Sequence, residues 1–131
     1  MFALDTNTLI YFFKGQGRVA ERLLAQPPAQ IAIPMLVVYE LEVGIAKSTS
    51  PERRRAQLGE LLDAVTLLPF DRQAASAAAD IRAALETAGQ PIGPLDTLIA
   101  GTAVAHGATL VTRDVNEFAR VRQLSIENWY D

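Results

Sequence analysis

The 131-residue chain contains no cysteine and a single histidine, His106. The absence of cysteine excludes disulfides, thiol catalysis and zinc sites with cysteine ligands. One histidine cannot build a metal site that requires several imidazoles, and its place before Gly107 at a predicted helix end is typical of a structural residue. Any metal that this chain binds must therefore be held mainly by oxygen atoms.

Positive charge is also scarce, because 12 basic and 15 acidic side chains give a formal net charge of −3. Nucleic-acid-binding domains usually have the opposite balance, so contact with RNA or DNA would require a local site that includes a metal cation. No apolar run reaches the roughly 18 residues that a membrane span needs. No basic region precedes the first apolar stretch, as it would in a signal peptide. We expect a soluble cytoplasmic protein without a membrane partner.

Half of the residues are hydrophobic, which predicts a globular fold, and the length suits one domain over residues 1–131. Short apolar runs alternate with segments of helical periodicity, which predicts an α/β fold with a mainly parallel sheet. After a first strand that ends before Asp5, the predicted strands cover residues 30–33, 66–69, 108–112 and 124–126. After a first helix broken at 15–17, the predicted helices cover residues 17–26, 35–47, 52–65, 71–88, 95–106 and 115–121.

Three aspartates stand where an open α/β sheet usually carries its functional residues. Asp5 and Asp114 each follow an apolar strand, and Asp96 opens the helix that leads into the strand before Asp114. Each also has a purely structural explanation. Asp5 can cap a helix, Asp96 lies in a first helical turn where the helix dipole favours a carboxylate, and Asp114 with Glu117 matches a capping box.

Two glutamates, Glu40 and Glu42, lie inside a nearly apolar helical segment. A carboxylate among apolar neighbours is costly without a partner, and no residue one helical turn from Glu40 can pair with it. Glu42 has similar neighbours, so helical periodicity does not choose between the two.

The acidic residues are more informative together than singly. The carboxyl ends of parallel strands share one edge of a sheet, where carboxylates in one cleft repel each other unless they are protonated or bind a metal. Small oxygen-bearing side chains occur at the same turns: Thr6, Asn7 and Thr112. Oxygen ligands without histidine or cysteine indicate Mg²⁺ or Mn²⁺, and such a centre suits phosphodiester hydrolysis.

These segments resemble the PIN-domain ribonucleases, specifically the VapC-type toxins of bacterial toxin–antitoxin pairs. The resemblance covers essentially the whole chain, in the family's order, through residues 4–7, 40–44, 96–100, 110–114, 117–118 and 126–129. It implies a single three-layer α/β/α PIN domain with a five-stranded, mainly parallel sheet. It also implies an Mg²⁺- or Mn²⁺-dependent endoribonuclease that cuts structured RNA such as tRNA, inhibits translation and is neutralised by a VapB-type antitoxin.

The resemblance further implies an acidic catalytic site made of Asp5, Glu40, Asp96 and Asp114, and it selects Glu40 over Glu42. Of these, the three aspartates are the implied metal ligands. Thr112 and Asn7 are the implied supporting residues.

Other residues have weaker assignments. Lys14 and Arg113 lie near the predicted cleft and could hold RNA phosphates. Three consecutive arginines at positions 53–55 fit a solvent-exposed helix face better than an RNA contact. The apolar excess of residues 35–46 and 11–13 predicts a homodimer.

Two other functions match part of this pattern. A haloacid-dehalogenase-like phosphohydrolase also begins with an aspartate at a strand end, but its chemistry needs a second aspartate where Asn7 stands and a lysine downstream of Lys47. A PIN-like module that only binds a partner would be expected to have lost several of the acids, and all four positions are filled.

Overall fold

The computed structural model describes residues 1–131 without a gap. The five strands are β1 (Phe2–Leu4), β2 (Ile31–Pro34), β3 (Thr66–Leu68), β4 (Thr109–Val111) and β5 (Ile126–Glu127). The seven α-helices are α1 (Thr6–Lys14), α2 (Val19–Leu24), α3 (Met35–Ala46), α4 (Pro51–Ala64), α5 (Arg72–Thr87), α6 (Pro94–Ala105) and α7 (Val115–Phe118), and a short 3₁₀ helix covers Pro28–Gln30. None of these helices has the length and apolar character required to cross a membrane.

All strand pairs are parallel, in the order β3-β2-β1-β4-β5. The chain therefore moves outwards from β1 to β3, returns to β4 on the other side of β1, and moves outwards again. Right-handed crossovers then place the connecting helices on both faces of the sheet, which is the predicted three-layer α/β/α arrangement. The reversal lies between β1 and β4, and ligands of open α/β sheets bind outside the carboxyl ends of the strands at such a reversal.

The core forms around the two central strands. Ala3, Leu4, Leu110 and Val111 are fully buried within a cluster of 25 buried apolar residues. Trp129, near the C-terminus, packs its ring 5.1 Å from that of Phe2 of β1. The core thus holds β1 and β4 side by side and fixes the positions of the turns that follow them.

Helix α6 approaches α5 unusually closely. A Cβ atom added at Gly101 would lie 2.6 Å from the Cβ of Ala78, so only glycine permits this contact. The small side chain of Ala78 is therefore a packing requirement, and this contact helps to set the position of the helix that carries Asp96.

Two expectations were wrong in detail. The last strand begins at Ile126, two residues later than predicted, because Leu124 is buried in a turn in which its N–H bonds to the Val121 carbonyl. Helical periodicity predicts that Val19, Leu23 and Leu24 share one face of the helix over 17–26, yet Leu24 is 74% exposed. Only the i, i+4 pair of this six-residue helix faces the core.

Candidate active site

Asp5 is the first residue after the central strand, and it is only 7% exposed. Its backbone N–H donates to the carbonyl of Val111 at the end of β4, 3.1 Å away, so the two strand ends are tied together. Its side chain accepts from the N–H of Thr8 at 2.9 Å and caps α1. The capping role expected for Asp5 is therefore confirmed.

Burial raises the pKa of Asp5 above its ordinary value, although hydrogen bonds involving Thr112 and Thr8 favour the ionised form and oppose that shift. Glu40 adds a smaller repulsive contribution. Asp5 is thus a buried acid for which the protein supplies hydrogen bonds and no cation.

The two glutamates of α3 have different surroundings. Glu40 is half-buried and accepts a 2.6 Å hydrogen bond from the Thr6 hydroxyl, in the first residue of α1. Glu42 faces α4, where its carboxylate lies 3.9 Å from the guanidinium of Arg55 in an exposed ion pair. The structure therefore brings Glu40, and not Glu42, to the turn that contains Asp5.

Asp96 lies in the first turn of α6 and is half-buried. Burial, followed by repulsion from Glu117, raises its pKa to about 7, and Asp5 and Glu40 contribute further repulsion. A carboxylate whose charge is opposed by three others needs a proton or a cation at neutral pH.

Asp114 follows β4 and caps the four-residue helix α7, accepting from the N–H of Glu117 at 3.4 Å. Its own N–H donates to the buried Thr112 hydroxyl at 3.0 Å. Asp114 is exposed, and its pKa is raised, first through hydrogen bonding with Glu117 and then through burial. Asp5 contributes only the smallest of these effects.

Glu117 belongs to the acidic cluster, and the sequence prediction did not assign it there. Its carboxylate accepts from the N–H of Gly93 at 3.0 Å, just before α6. Burial raises its pKa, but hydrogen bonds involving Asp114, Gly93 and Asp96 outweigh that effect and lower it. The capping-box pattern indicated the hydrogen bond of its N–H, but nothing local indicated that its side chain would reach α6.

The arrangement fits a hard cation that is only partly enclosed. No three acidic or histidine side chains are close enough to surround one ion as they stand. Mg²⁺ is commonly bound by one or two carboxylates and several waters. Asp5 and Asp96 are the residues that could hold it, because the charge of Glu40 opposes both of them and Asp5 also opposes Asp96.

Comparison with known proteins agrees with this geometry. The PIN domain family model matches residues 2–124 of the chain. This chain belongs to the PIN-domain family. It is 35% identical to the tRNA(fMet)-specific endonuclease VapC of Salmonella typhimurium, over 98% of this chain and 97% of that protein, which places it among the VapC ribonucleases.

Solved structures give the same result. The VapBC2 complex of Rickettsia felis bound to a promoter DNA fragment contains a chain with a TM-score of 0.90 and 33% identity, covering 98% of both chains. The DNA-bound VapBC complex of Salmonella typhimurium has a TM-score of 0.90 and 36% identity, over 98% of this chain and 97% of that one. The predicted PIN fold and VapC resemblance are confirmed, and the haloacid-dehalogenase-like alternative is wrong.

The remaining predicted site residues of this PIN domain form no hydrogen bond or ion pair with the acids. Asn7 is exposed on the first turn of α1. Lys14 lies at the far end of α1 and lines a cavity of about 230 Å³ together with Glu40 and Arg54. Arg113 immediately precedes Asp114 and is exposed, with its guanidinium over the ring of Tyr130. His106 ends α6, its Nδ1 2.9 Å from the Thr102 carbonyl, which agrees with a structural role.

Proposed function

We propose that this VapC-group PIN domain is an Mg²⁺- or Mn²⁺-dependent endoribonuclease that cuts structured RNA. The observation that carries the proposal is that Asp5, at the reversal between β1 and β4, lies near enough to Glu40 and Asp96 for the three carboxylates to repel one another, with Glu40 bonded to Thr6 of the same turn. Four carboxylates without a cation would repel RNA phosphate. A bound divalent ion reverses the local charge, lowers the pKa of bound water and stabilises charge on the phosphate.

The side chains have distinct parts in this proposal. Asp5 and Asp96 would hold the ion, and Asp114, which is exposed, would contribute less. The hydrogen bond from Thr6 fixes one oxygen of Glu40 and leaves the other free to orient a water molecule or accept its proton. Thr112 supports Asp5 and Asp114 together through its hydroxyl. Asn7 and Lys14 are proposed as contacts to RNA rather than to the ion.

The substrate and antitoxin are proposed from the relatives. A relative that aligns over 98% of this chain is a tRNA(fMet)-specific endonuclease, so we propose a tRNA as the substrate. Inhibition of translation in the cytoplasm is the proposed outcome. Similar chains were solved in VapBC complexes, and we propose that a VapB-type antitoxin neutralises this one.

A homodimer is also proposed, because α3 carries an apolar stripe that the domain leaves uncovered. Met35, Tyr39 and Val43 are spaced four residues apart and are 41%, 57% and 37% exposed. Sedimentation at micromolar concentration should give the mass of two chains, and replacing Tyr39 with glutamate should give monomers. A wild-type monomer would contradict the proposed dimer.

The function is tested by incubating purified protein with tRNA in EDTA and then restoring Mg²⁺ or Mn²⁺. We expect cleavage only with metal, and we expect Asp96→Asn and Glu40→Gln to abolish or strongly reduce it. Glu42→Gln is the matched control, because it removes the same charge from the same helix on the side facing Arg55, and it should cleave like wild type. Cleavage that persists in EDTA, or equal loss in both glutamate variants, would refute the proposed mechanism. A wild type that binds tRNA but never cleaves it would favour the non-catalytic binding module.

A further inference from the structure

Arg113 is held in an aromatic environment at the edge of the candidate site. The guanidinium carbon lies 3.5 Å from the ring centroid of Tyr130 and 5.6 Å from that of Tyr11. The two rings contact each other edge to face, with centroids 4.8 Å apart. A cation over aromatic faces is attracted by the ring quadrupole, so an exposed and otherwise mobile side chain is given a preferred position.

The ring that holds Arg113 belongs to a firmly anchored C-terminal tail. The N–H of Arg18 donates to the Tyr130 carbonyl at 2.8 Å, and the N–H of Tyr130 donates to the side chain of Asn128 at 2.8 Å. Gly17 packs directly on Tyr130, because a Cβ at that glycine would lie 2.7 Å from the ring and from the carbonyl oxygen. The guanidinium of Arg22 donates to the carbonyls of Asn128 and Asp131. The tail therefore returns to α1 and α2 and places one ring beneath Arg113.

The charge of Arg113 is not used within the chain. None of the four ion pairs of the structure includes it; its other interactions within the chain are a hydrogen bond with the Tyr11 side chain and a weaker attraction to Asp131. A guanidinium that stacks through its face keeps the N–H donors of its edge available, in the fork geometry that fits a phosphate. Arg113 is also the residue directly before Asp114, so both side chains extend from the same turn after β4.

We infer that Arg113 binds an RNA phosphate beside the turn that carries Asp114, and that Tyr130 is the positioning residue that holds its guanidinium there. This inference rests on the proposed ribonuclease function and adds to it a substrate subsite built by the C-terminal tail. In a chain with net charge −3, this fixed cation draws the RNA backbone towards carboxylates that would otherwise repel it.

Binding is measured with a fluorescently labelled tRNA transcript and full-length protein carrying Asp96→Asn, so that the RNA stays intact. Adding Arg113→Gln should raise Kd about tenfold, as expected for a lost charge-assisted hydrogen bond. It should also reduce the slope of log Kd against log salt by about 0.7 to 1, the loss of one phosphate contact. Arg122→Gln is the matched control, because it removes the same charge from an exposed arginine in the connection between α7 and β5, outside the turn after β4; it should leave both quantities unchanged.

Variants of Tyr130 separate positioning from charge. Tyr130→Ala keeps the cation but frees it, so Kd should rise severalfold while the salt slope stays near that of the parent. Tyr130→Phe retains the ring and should restore the parent affinity. In the otherwise wild-type enzyme, the same changes should raise KM more than they lower kcat. Thermal melting of every variant identifies any loss of folding.

Each outcome supports or overturns a specific claim. Binding by Arg113→Gln that matches Arg122→Gln, while the parent binds tRNA well, overturns the inference and leaves the proposed function intact. A Tyr130→Phe protein as weak as Tyr130→Ala overturns the positioning role of the ring. A wild type that neither binds nor cleaves RNA overturns the proposed function, and the inference with it.

Discussion

The turn after β1 and the turn after β4 lie side by side, and in each an aspartate caps the following helix. Asp5 is 7% exposed, its cap bond measures 2.9 Å, and it begins a nine-residue helix. Asp114 is exposed, its cap bond measures 3.4 Å, and its helix has four residues. The local chemistry is the same, but only Asp5 loses the water that would otherwise stabilise its charge. Strand order causes this difference, because β1 is the central strand and β4 is one place nearer the edge.

The largest effect is expected at the buried turn. Asp5→Asn removes the charge but retains a good N-cap, so the fold should survive with nearly unchanged thermal stability. Loss of a residue that only orients a metal ligand typically costs 10- to 100-fold, so removal of a ligand charge should reduce tRNA cleavage by at least about 100-fold. The measurement is the single-turnover cleavage rate with saturating Mg²⁺. A folded Asp5→Asn protein with wild-type activity would show that Asp5 serves only as a cap.

The same substitution at the exposed turn should have a smaller effect. Asp114→Asn also keeps its cap. Because water can replace a peripheral ligand, we expect the cleavage rate to fall by about tenfold or less, the lower end of the 10- to 100-fold range. Higher Mg²⁺ should recover part of the activity. If Asp114→Asn and Asp5→Asn lose equal activity, the contrast between the buried and the exposed aspartate is wrong.

The buried acids should also make the metal-free protein more stable at low pH. The pKa of Asp96 is about 7 in the folded chain against 3.8 in the unfolded one, so between these values the folded state binds the extra proton. The stability of the metal-free protein is therefore expected to fall as pH rises through this window, and the raised pKa values of Asp5 and Asp114 act in the same direction. The pKa of Glu117 is lowered from its ordinary value of 4.5, so its effect on stability has the opposite direction, but that effect lies below this pH window.

Thermal melting in EDTA from pH 5 to pH 8 measures this trend. The melting temperature should decrease with pH, Asp96→Asn should flatten the decrease, and Mg²⁺ should raise the melting temperature more at pH 8 than at pH 5. Metal-free protein that gains stability from pH 5 to pH 8 would mean that the acids do not repel one another as the structure indicates.

The comparison of the two turns also shows which parts of the fold and the site could be predicted from the sequence. Apolar runs that end in Asp5 and Asp114 were enough to predict parallel strands with acids at one edge, because strand ends and caps are local features. The choice between Glu40 and Glu42 was not local, since it depends on Thr6 in one case and Arg55 in the other, and only the resemblance to the family favoured Glu40, the glutamate that the structure brings to the turn after β1. The position of Glu117 depends on a hydrogen bond to Gly93, 24 residues away, and no periodicity predicts it.

The smallest effect is expected at Thr112, which connects the two turns. This side chain is completely buried, its oxygen accepts from the N–H of Asp114, and its hydroxyl supports the ionised form of Asp5. Thr112→Val preserves shape and removes both interactions, which should cost about 1 to 2 kcal/mol of stability at the usual value of about 1 kcal/mol for each hydrogen bond. It should also raise the pKa of Asp5 further, because the remaining effect of burial is then less opposed.

The pH dependence of cleavage distinguishes the two consequences of Thr112→Val. If the hydroxyl only fastens the turn after β4, the melting temperature falls slightly and the pH–rate profile keeps its position. If it supports Asp5 as the structure indicates, the acidic limb of the profile moves to higher pH, and activity lost at pH 6 returns at pH 8. Thr97→Val is the matched control, because Thr97 is buried and its hydroxyl donates to the Gly93 carbonyl at the start of α6, not to Asp5. It should lower stability by a similar amount and leave the acidic limb in place.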